Sequence, residues 1–221
     1  MSLTPPLWHD RLEAGRDLGR QVAARIPLPQ DALLLALPRG GVAVAVAMAA
    51  ELHVPVRTWS VRKIADPAWP ELAVGAIASG GVTVWRGAGG ASREQQARRL
   101  GWLQRQEAEL RRRQALYGDP APADLQGKHL IVVDDGIATG MTVQAALLSL
   151  RQLQPASLTL AVPVLDRSVV VPLQPLIDHL VALAVVDGLR TVGEWYERFE
   201  QLQDQEVLAL LAAQPVPRAR S

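Results

Sequence analysis

The chain has no cysteine, which excludes disulfides, thiolate metal sites and a cysteine nucleophile. Its 4 histidines, His9, His53, His129 and His179, stand far apart. With neither an HExxH motif nor paired spacing, a zinc centre is not expected. An excess of one charge is also missing, because 23 basic residues face 22 acidic ones. A chain-wide grip on nucleic acid is therefore not indicated. Lysine is scarce: only Lys63 and Lys128 stand among the many arginines, so the position of each is informative. The most apolar stretch, residues 32–52, is broken by Pro38-Arg39-Gly40-Gly41, so no membrane span is expected. Residues 1–10 lack a basic segment followed by an apolar run, so no signal peptide is read and a cytoplasmic location is expected.

Apolar residues make up 49 % of the 221, which excludes a mainly disordered chain. A chain of this length buries roughly 70–75 % of its unfolded surface and needs no staples. Residues 7–25 read as a helix, with Leu7, Arg11, Leu12, Leu18 and Val22 near helical spacing. Residues 31–37 form an apolar run of strand length. A turn at 38–41, an alanine-rich helix over 42–52 and a second strand over 54–61 complete a βαβ unit. Residues 63–90, rich in glycine and proline, read as an irregular excursion with a hairpin at 79–81. A long polar helix over 92–117 has Leu103, Leu110 and Tyr117 at seven-residue spacing, with Leu100 alongside. Strands follow at 128–133, 157–164 and 180–186, the last expected to be buried. Helices follow at 141–154, 168–179 and 194–213, with a frayed tail at 215–221. The alternation predicts an open, mainly parallel α/β sheet with helices on both faces, in a single domain over 1–214.

The chemistry concentrates in Leu130-Ile-Val-Val-Asp-Asp-Gly-Ile-Ala-Thr-Gly-Met-Thr142. An apolar strand ends in two adjacent carboxylates, a turn with Gly136 and Gly140 follows, and a helix begins. Ligands of open α/β sheets bind outside the carboxyl ends of strands. A helix N-terminus presents N–H groups and a positive dipole end to phosphate. The two aspartates suit vicinal hydroxyls or a hydrated magnesium ion. Phosphate beside a diol describes a ribose 5-phosphate. The plain alternative makes Asp135-Gly136 a turn and Thr139 a helix N-cap. It leaves unexplained the second aspartate and the threonines flanking Gly140.

These thirteen residues resemble the ribose-phosphate signature of type I phosphoribosyltransferases. Ala36-Leu-Pro-Arg-Gly-Gly-Val42, Val61-Arg-Lys-Ile64, Pro70-Glu-Leu-Ala-Val-Gly-Ala-Ile77 and Val192-Gly-Glu-Trp-Tyr-Glu-Arg-Phe199 resemble further blocks of an uncharacterised bacterial branch of that family. The resemblance implies the family's fold, with a small hood built from the termini and a flexible lid over about 64–90. It implies a magnesium-dependent glycosyltransferase that moves the 5-phosphoribosyl group of phosphoribosyl pyrophosphate (PRPP) to a nitrogen acceptor, releasing pyrophosphate. The acceptor is expected to be a nucleobase, which places the protein in nucleotide metabolism.

By the same resemblance Asp134 and Asp135 hold the ribose hydroxyls and, through water, Mg²⁺. Gly136, Ile137, Ala138, Thr139, Gly140, Met141 and Thr142 cradle the 5′-phosphate. The turn with Arg39 and Gly40 takes the pyrophosphate, with a cis peptide expected between Pro38 and Arg39. Arg62 and Lys63 end the second strand and reach the same group. Arg39, Lys63 and Glu71 are the candidate catalytic residues; Glu71 stands equally open as a base or proton contact and as a surface residue. Ala138 replaces the aspartate of 6-oxopurine relatives, which disfavours hypoxanthine and guanine. Trp69 stands where the branch has Asn, and Leu189 where an aromatic residue is expected. Trp195 and Tyr196 are either a stacking surface or core. Arg111-Arg112-Arg113 reads as a solvated face, so nucleic acid is not an expected partner. Leu208, Leu210 and Leu211 need burial, and a homodimer is expected. A non-catalytic PRPP or nucleotide sensor, and hydrolysis or phosphorolysis of a nucleotide, remain alternatives.

Overall fold

The computed structural model describes residues 6–66, 69–87 and 89–214, with backbone alone at 66 and 69–73. The tail expected at 215–221, Pro67, and the side chains of Trp69 and Glu71 lie outside the described residues.

The main sheet is parallel throughout. It comprises β1 (Leu33–Ala36), β2 (Val56–Thr58), β6 (His129–Val133), β7 (Ser157–Asp166) and β8 (His179–Val186), in the order β2-β1-β6-β7-β8. Side chains alternate across a strand, so each strand supplies two cores. Leu33, Leu35, Leu130, Val132, Leu158 and Leu160 enter one, beneath α5 (Met141–Arg151) and α6 (Arg167–Leu173). Leu34, Ala36, Ile131, Val133 and Ala161 enter the other, beneath α1 (Arg11–Arg25), α2 (Gly40–Leu52) and α7 (Asp204–Ala212). The continuous apolar runs seen in the sequence are what two covered faces require. β8 departs from expectation: it is the sheet edge and only Val181 is fully buried along it.

A second sheet is antiparallel, in the order β3-β4-β5, made of β3 (Val61–Asp66), β4 (Trp69–Ala78) and β5 (Thr83–Trp85). The strand expected over 54–61 therefore splits in two. β2 ends at Thr58, and the chain turns through Trp59 and Ser60 into the other sheet. Asp119 fixes that corner. It accepts hydrogen bonds from Thr58 Oγ1 at 2.8 Å, Ser60 N at 2.7 Å, Ser60 Oγ at 3.0 Å and Ser79 Oγ at 2.6 Å. The glycines read as irregularity serve this sheet. A Cβ on Gly75 would lie 2.6 Å from the Val84 carbonyl oxygen, and Gly80 and Gly81 have φ of 89° and 81° in the hairpin turn.

The expected helix over 92–117 is two, α3 (Gly90–Arg99) and α4 (Trp102–Tyr117), parted at Gly101 with φ 74°. Leu103, Leu110 and Tyr117 are buried at their seven-residue spacing, but Leu100 is 57 % exposed at the break. Helix α1 starts at Arg11 rather than near residue 7, because the Asp10 carboxylate accepts Glu13 N at 2.8 Å and caps it. Residues 7–9 instead meet 195–198 through a single parallel bridge, Trp8 with Tyr196. Leu7 N donates to Trp195 O at 3.1 Å and Glu197 N to Trp8 O at 2.9 Å. This pairing of the termini is the hood, and it holds Tyr196 out of the helix expected over 194–213. The range holds the end of a 3₁₀ turn, Val192–Trp195, and one α-helix, α7, opened by a Gln203–Glu206 capping box. Leu210 and Leu211 pack against the core beneath α7, while Leu208 is exposed. The helix expected over 168–179 stops at Leu173 and ends in a 3₁₀ turn, Gln174–Leu176, where Pro175 cannot donate.

Candidate functional site

β1 and β6 are neighbours, with Ala36 opposite Val133. The chain leaves β1 for α2 on one face and leaves β6 for α5 on the other. Their connections diverge and open a crevice at the carboxyl ends, the switch point where doubly wound sheets bind ligands. On one wall stands the Pro38–Arg39 turn, whose peptide bond is cis as expected, leading into Gly40. On the other stand Asp134, Asp135 and the loop to Gly140. Both α2 and α5 lack a side-chain N-cap hydrogen bond. Thr139 is thus not a cap; Gly140, at φ 73°, occupies that position. Two helix N-termini with no capping side chain share one crevice, an arrangement suited to anions.

The 136–142 loop divides between core and crevice. Ile137 N donates to Val164 O at 2.9 Å, and Asp166 N donates to Ile137 O at 2.8 Å. Ile137 and Met141 side chains are buried, so only their backbone is available to a ligand. Thr139 is exposed, and Ala138 and Thr142 are half-buried. A Cβ on Gly136 would stand 2.4 Å from Val192 Cγ1, so the hood presses on this loop.

Asp134 Oδ1 accepts the Asp135 backbone N–H at 2.9 Å. Asp135 Oδ2 accepts from Arg11 Nε at 2.8 Å, and the Asp135 carbonyl oxygen accepts from Tyr196 Oη at 2.6 Å. A Cβ on Gly40 would fall 1.8 Å from Asp135 Oδ2, so that carboxylate lies directly against the first turn of α2. Burial and the neighbouring Asp135 charge push Asp134 well above the usual carboxylate range. Burial raises Asp135 as well, with Arg11 opposing the rise. Tyr196 is raised by burial and by the Asp135 charge, so its hydroxyl stays a donor.

The basic residues separate. Arg39 lies 3.7 Å from Asp204, which also accepts from Tyr117 Oη at 2.5 Å and Arg112 at 3.0 Å. Lys63 is exposed and pairs across the strands with Ala76, on the face of the small sheet that joins the core beneath α5. Arg62 pairs with Ile77 on the opposite face, turned to α4, and donates to Gln106 Oε1 at 3.2 Å. Its Nε is buried with no acceptor among the described residues. Burial and nearby Arg113 lower the Arg62 pKa. Arg62 and Lys63 therefore do not act from one side, and neither ends β2. Arg113 corrects a second expectation. It is 13 % exposed and paired with Glu109 at 3.0 Å, not part of a solvated face.

Tyr196 stacks in the hood between Trp8 and Phe199, at centroid distances of 5.6 Å and 4.9 Å, and is core. Leu189 N donates to Asp166 Oδ2 at 2.6 Å, which ties the 187–189 turn to the end of β7. Arg11 was legible only as an arginine on the apolar stripe of α1, where burial demands a partner. Asp119, Asp204 and the Tyr196 hydroxyl had no such signal. Among the described residues no group of three or more His, Asp or Glu could hold a metal ion. A magnesium ion would thus draw most of its ligands from water and substrate, which suits its preference for one or two carboxylates. No described helix is long and apolar enough to cross a membrane.

The phosphoribosyl transferase domain family matches residues 13–174. The Mycobacterium tuberculosis (strain H37Rv) protein Rv0571c, whose phosphoribosyl transferase name is provisional, is 36 % identical over 209 residues, 93 % of this chain and 46 % of its own. The chain spans about half the length of the curated relatives it matches. The crystal structure of TT1426 from Thermus thermophilus superposes with a TM-score of 0.75 at 32 % identity, covering 94 % of this chain and 98 % of that one. The Aquifex aeolicus AQ2163 protein shares the fold, with a TM-score of 0.54 at 10 % identity over 85 % of each chain. A family match across most of the sequence, joined to a full-length structural relative and to the crevice between β1 and β6, shows that the chain belongs to the type I phosphoribosyltransferase family.

Proposed function

We propose that the protein transfers the 5-phosphoribosyl group of PRPP to a nitrogen atom of a nucleobase-type acceptor, releasing pyrophosphate, with Mg²⁺ as cofactor. The observation that carries this reading is the crevice itself: two helix N-termini without capping side chains flank two adjacent carboxylates at the switch point of the sheet. The backbone of Gly136 to Thr142, with the Thr139 and Thr142 hydroxyls, binds the 5′-phosphate. Asp134 and Asp135 accept hydrogen bonds from the ribose hydroxyls and hold hydrated Mg²⁺ through water. The Arg39–Gly40 turn binds the pyrophosphate, and Lys63 approaches it from the small sheet. When bound, Mg²⁺ supplies positive charge to the pyrophosphate oxygens.

The chain's own contribution is position and fixed charge. Backbone N–H groups hold the ribose phosphate still while the C1–O bond to pyrophosphate breaks, and the cations face the charge that develops. Ala138 can move no proton, so the acceptor arrives with a nitrogen lone pair or loses its proton elsewhere. A thermal shift with PRPP and Mg²⁺ tests binding, because a ligand of the native state alone raises Tm by mass action. Pyrophosphate release across a panel of purines, pyrimidines and other nitrogen nucleophiles then tests transfer. No Tm shift at millimolar PRPP overturns the reading. A shift without pyrophosphate release from any acceptor favours the sensor.

A further inference from the structure

Arg11 is the first residue of α1, and its side chain is 10 % exposed. A guanidinium keeps its charge and five donors, so burial is tolerable only with partners. Arg11 has three, from two distant parts of the chain. Nε donates to Asp135 Oδ2 at 2.8 Å, a terminal nitrogen donates to the Glu200 carbonyl oxygen at 3.0 Å, and the guanidinium lies 3.7 Å from the centre of the Phe199 ring. Asp135 is itself 16 % exposed, with Gly40 directly against Oδ2. Its carboxylate is pinned between α1 and the first turn of α2. Asp134 has no such anchor, since no arginine or lysine forms an ion pair with it among the described residues. The two adjacent acids are therefore not equivalent.

We propose that Arg11 is a positioning residue of the phosphoribosyl site: it holds the Asp135 carboxylate fixed against the pyrophosphate turn and leaves Asp134 as the acid without a protein cation. The role rests on the phosphoribosyl reading above. Two unscreened carboxylates side by side repel, and hydrogen bonds to vicinal hydroxyls weaken steeply when misaligned. Arg11 removes both problems at Asp135 without touching the ligand.

The test is a double-mutant cycle on PRPP affinity in the presence of Mg²⁺, read by calorimetry on folded protein. Arg11→Met keeps an unbranched side chain against Phe199 but removes the charge and the donors. It is expected to weaken PRPP binding by roughly tenfold or more in the wild-type background, and by less than about twofold in the Asp135→Asn background. A residue that only supports the fold lowers Tm and leaves the affinity of the folded protein unchanged, or costs the same factor in both backgrounds. Either result overturns the role. If Arg11→Met does not fold, Arg11→Lys decides, because it keeps the charge and loses the fork geometry. It is expected to cost severalfold in the wild type and nothing beside Asp135→Asn, and equal losses overturn the role. A wild-type protein that takes up no PRPP overturns the phosphoribosyl reading and this role together. A wild-type protein that binds while the cycle shows no coupling overturns this role alone.

Discussion

Strands β1, β6 and β7 are covered on both faces, and their side chains are almost wholly aliphatic. The small sheet β3–β5 is covered by α5 on one face and by α3 and α4 on the other, but carries Arg62, Lys63 and Gly75 within its strands. The difference assigns the two sheets different work. Between their ends β1, β6 and β7 carry no charged side chain, and the acids Asp134 and Asp135 stand just beyond the end of β6. The small sheet leaves part of its surface open and can carry a cation mid-strand. The proposed ribose end of the site therefore sits on the better-covered frame, and the proposed leaving-group cation sits on the accessory one.

The sharpest test of the frame is Asp134→Asn with Asp135→Asn. The fold should survive, and PRPP affinity should fall by roughly 2–5 kcal/mol as charge-assisted hydrogen bonds are lost. Unchanged affinity in the folded double mutant would break the assignment of the ribose site to β6. On the accessory side, Lys63→Ala should reduce turnover by about 10²–10³-fold while changing PRPP affinity far less, because the charge it meets builds only in the transition state. Arg62→Ala should spare turnover, since its side chain faces α4. Wild-type turnover in Lys63→Ala with loss in Arg62→Ala would invert this view of the small sheet.

Asp119→Ala probes the joint between the sheets. Thr58, Ser60 and Ser79 are buried, and leaving such donors without an acceptor costs about 1–3 kcal/mol. The loss should appear in urea unfolding as a lower midpoint; no change would mean that the corner is held by packing alone. The smallest effect is expected at Glu109, where hydrogen bonds from Arg112 and Arg113 hold the carboxyl down to about 2 from an ordinary value of 4.5. A depressed carboxyl stabilises above its unfolded pKa, and that contribution fades as pH falls from about 4.5 through 2. Because the pair with Arg112 is largely solvated, Glu109→Gln should cost less than about 1 kcal/mol at pH 7. The cost should vanish near pH 2; a loss of equal size at both pH values would show that charge is not its source.

Much of this is legible in the sequence. The alternation of apolar runs with helical patterns identified the parallel sheet, because a strand buried on both faces has no other way to look. The Asp134-Asp135 pair followed by glycines and threonines marked the loop that the structure sets at the carboxyl end of β6, against the N-terminus of α5. Pro38-Arg39-Gly40-Gly41 marked the second loop, and Gly40 now has its reason in the Asp135 oxygen that fills the space of a Cβ.

Local pattern was silent wherever a partner lies far along the chain. Arg11 meets Asp135 across 124 residues and Glu200 across 189, and Asp119 meets Ser60 across 59. Residues 194–203 had helical spacing, yet Trp8 draws Tyr196 into extended pairing, because a backbone follows the hydrogen bonds and buried area that the whole fold offers. Arg62 and Lys63 are adjacent in sequence and part company by the two-residue period of a strand. Which of the two turns toward α5 and which toward α4 was decided only when the small sheet packed between them. The sequence by itself determined the kind of sheet and which residue types stand at its end; the tertiary structure decided which charges are paired, since pairing is a matter of distance in space and not along the chain.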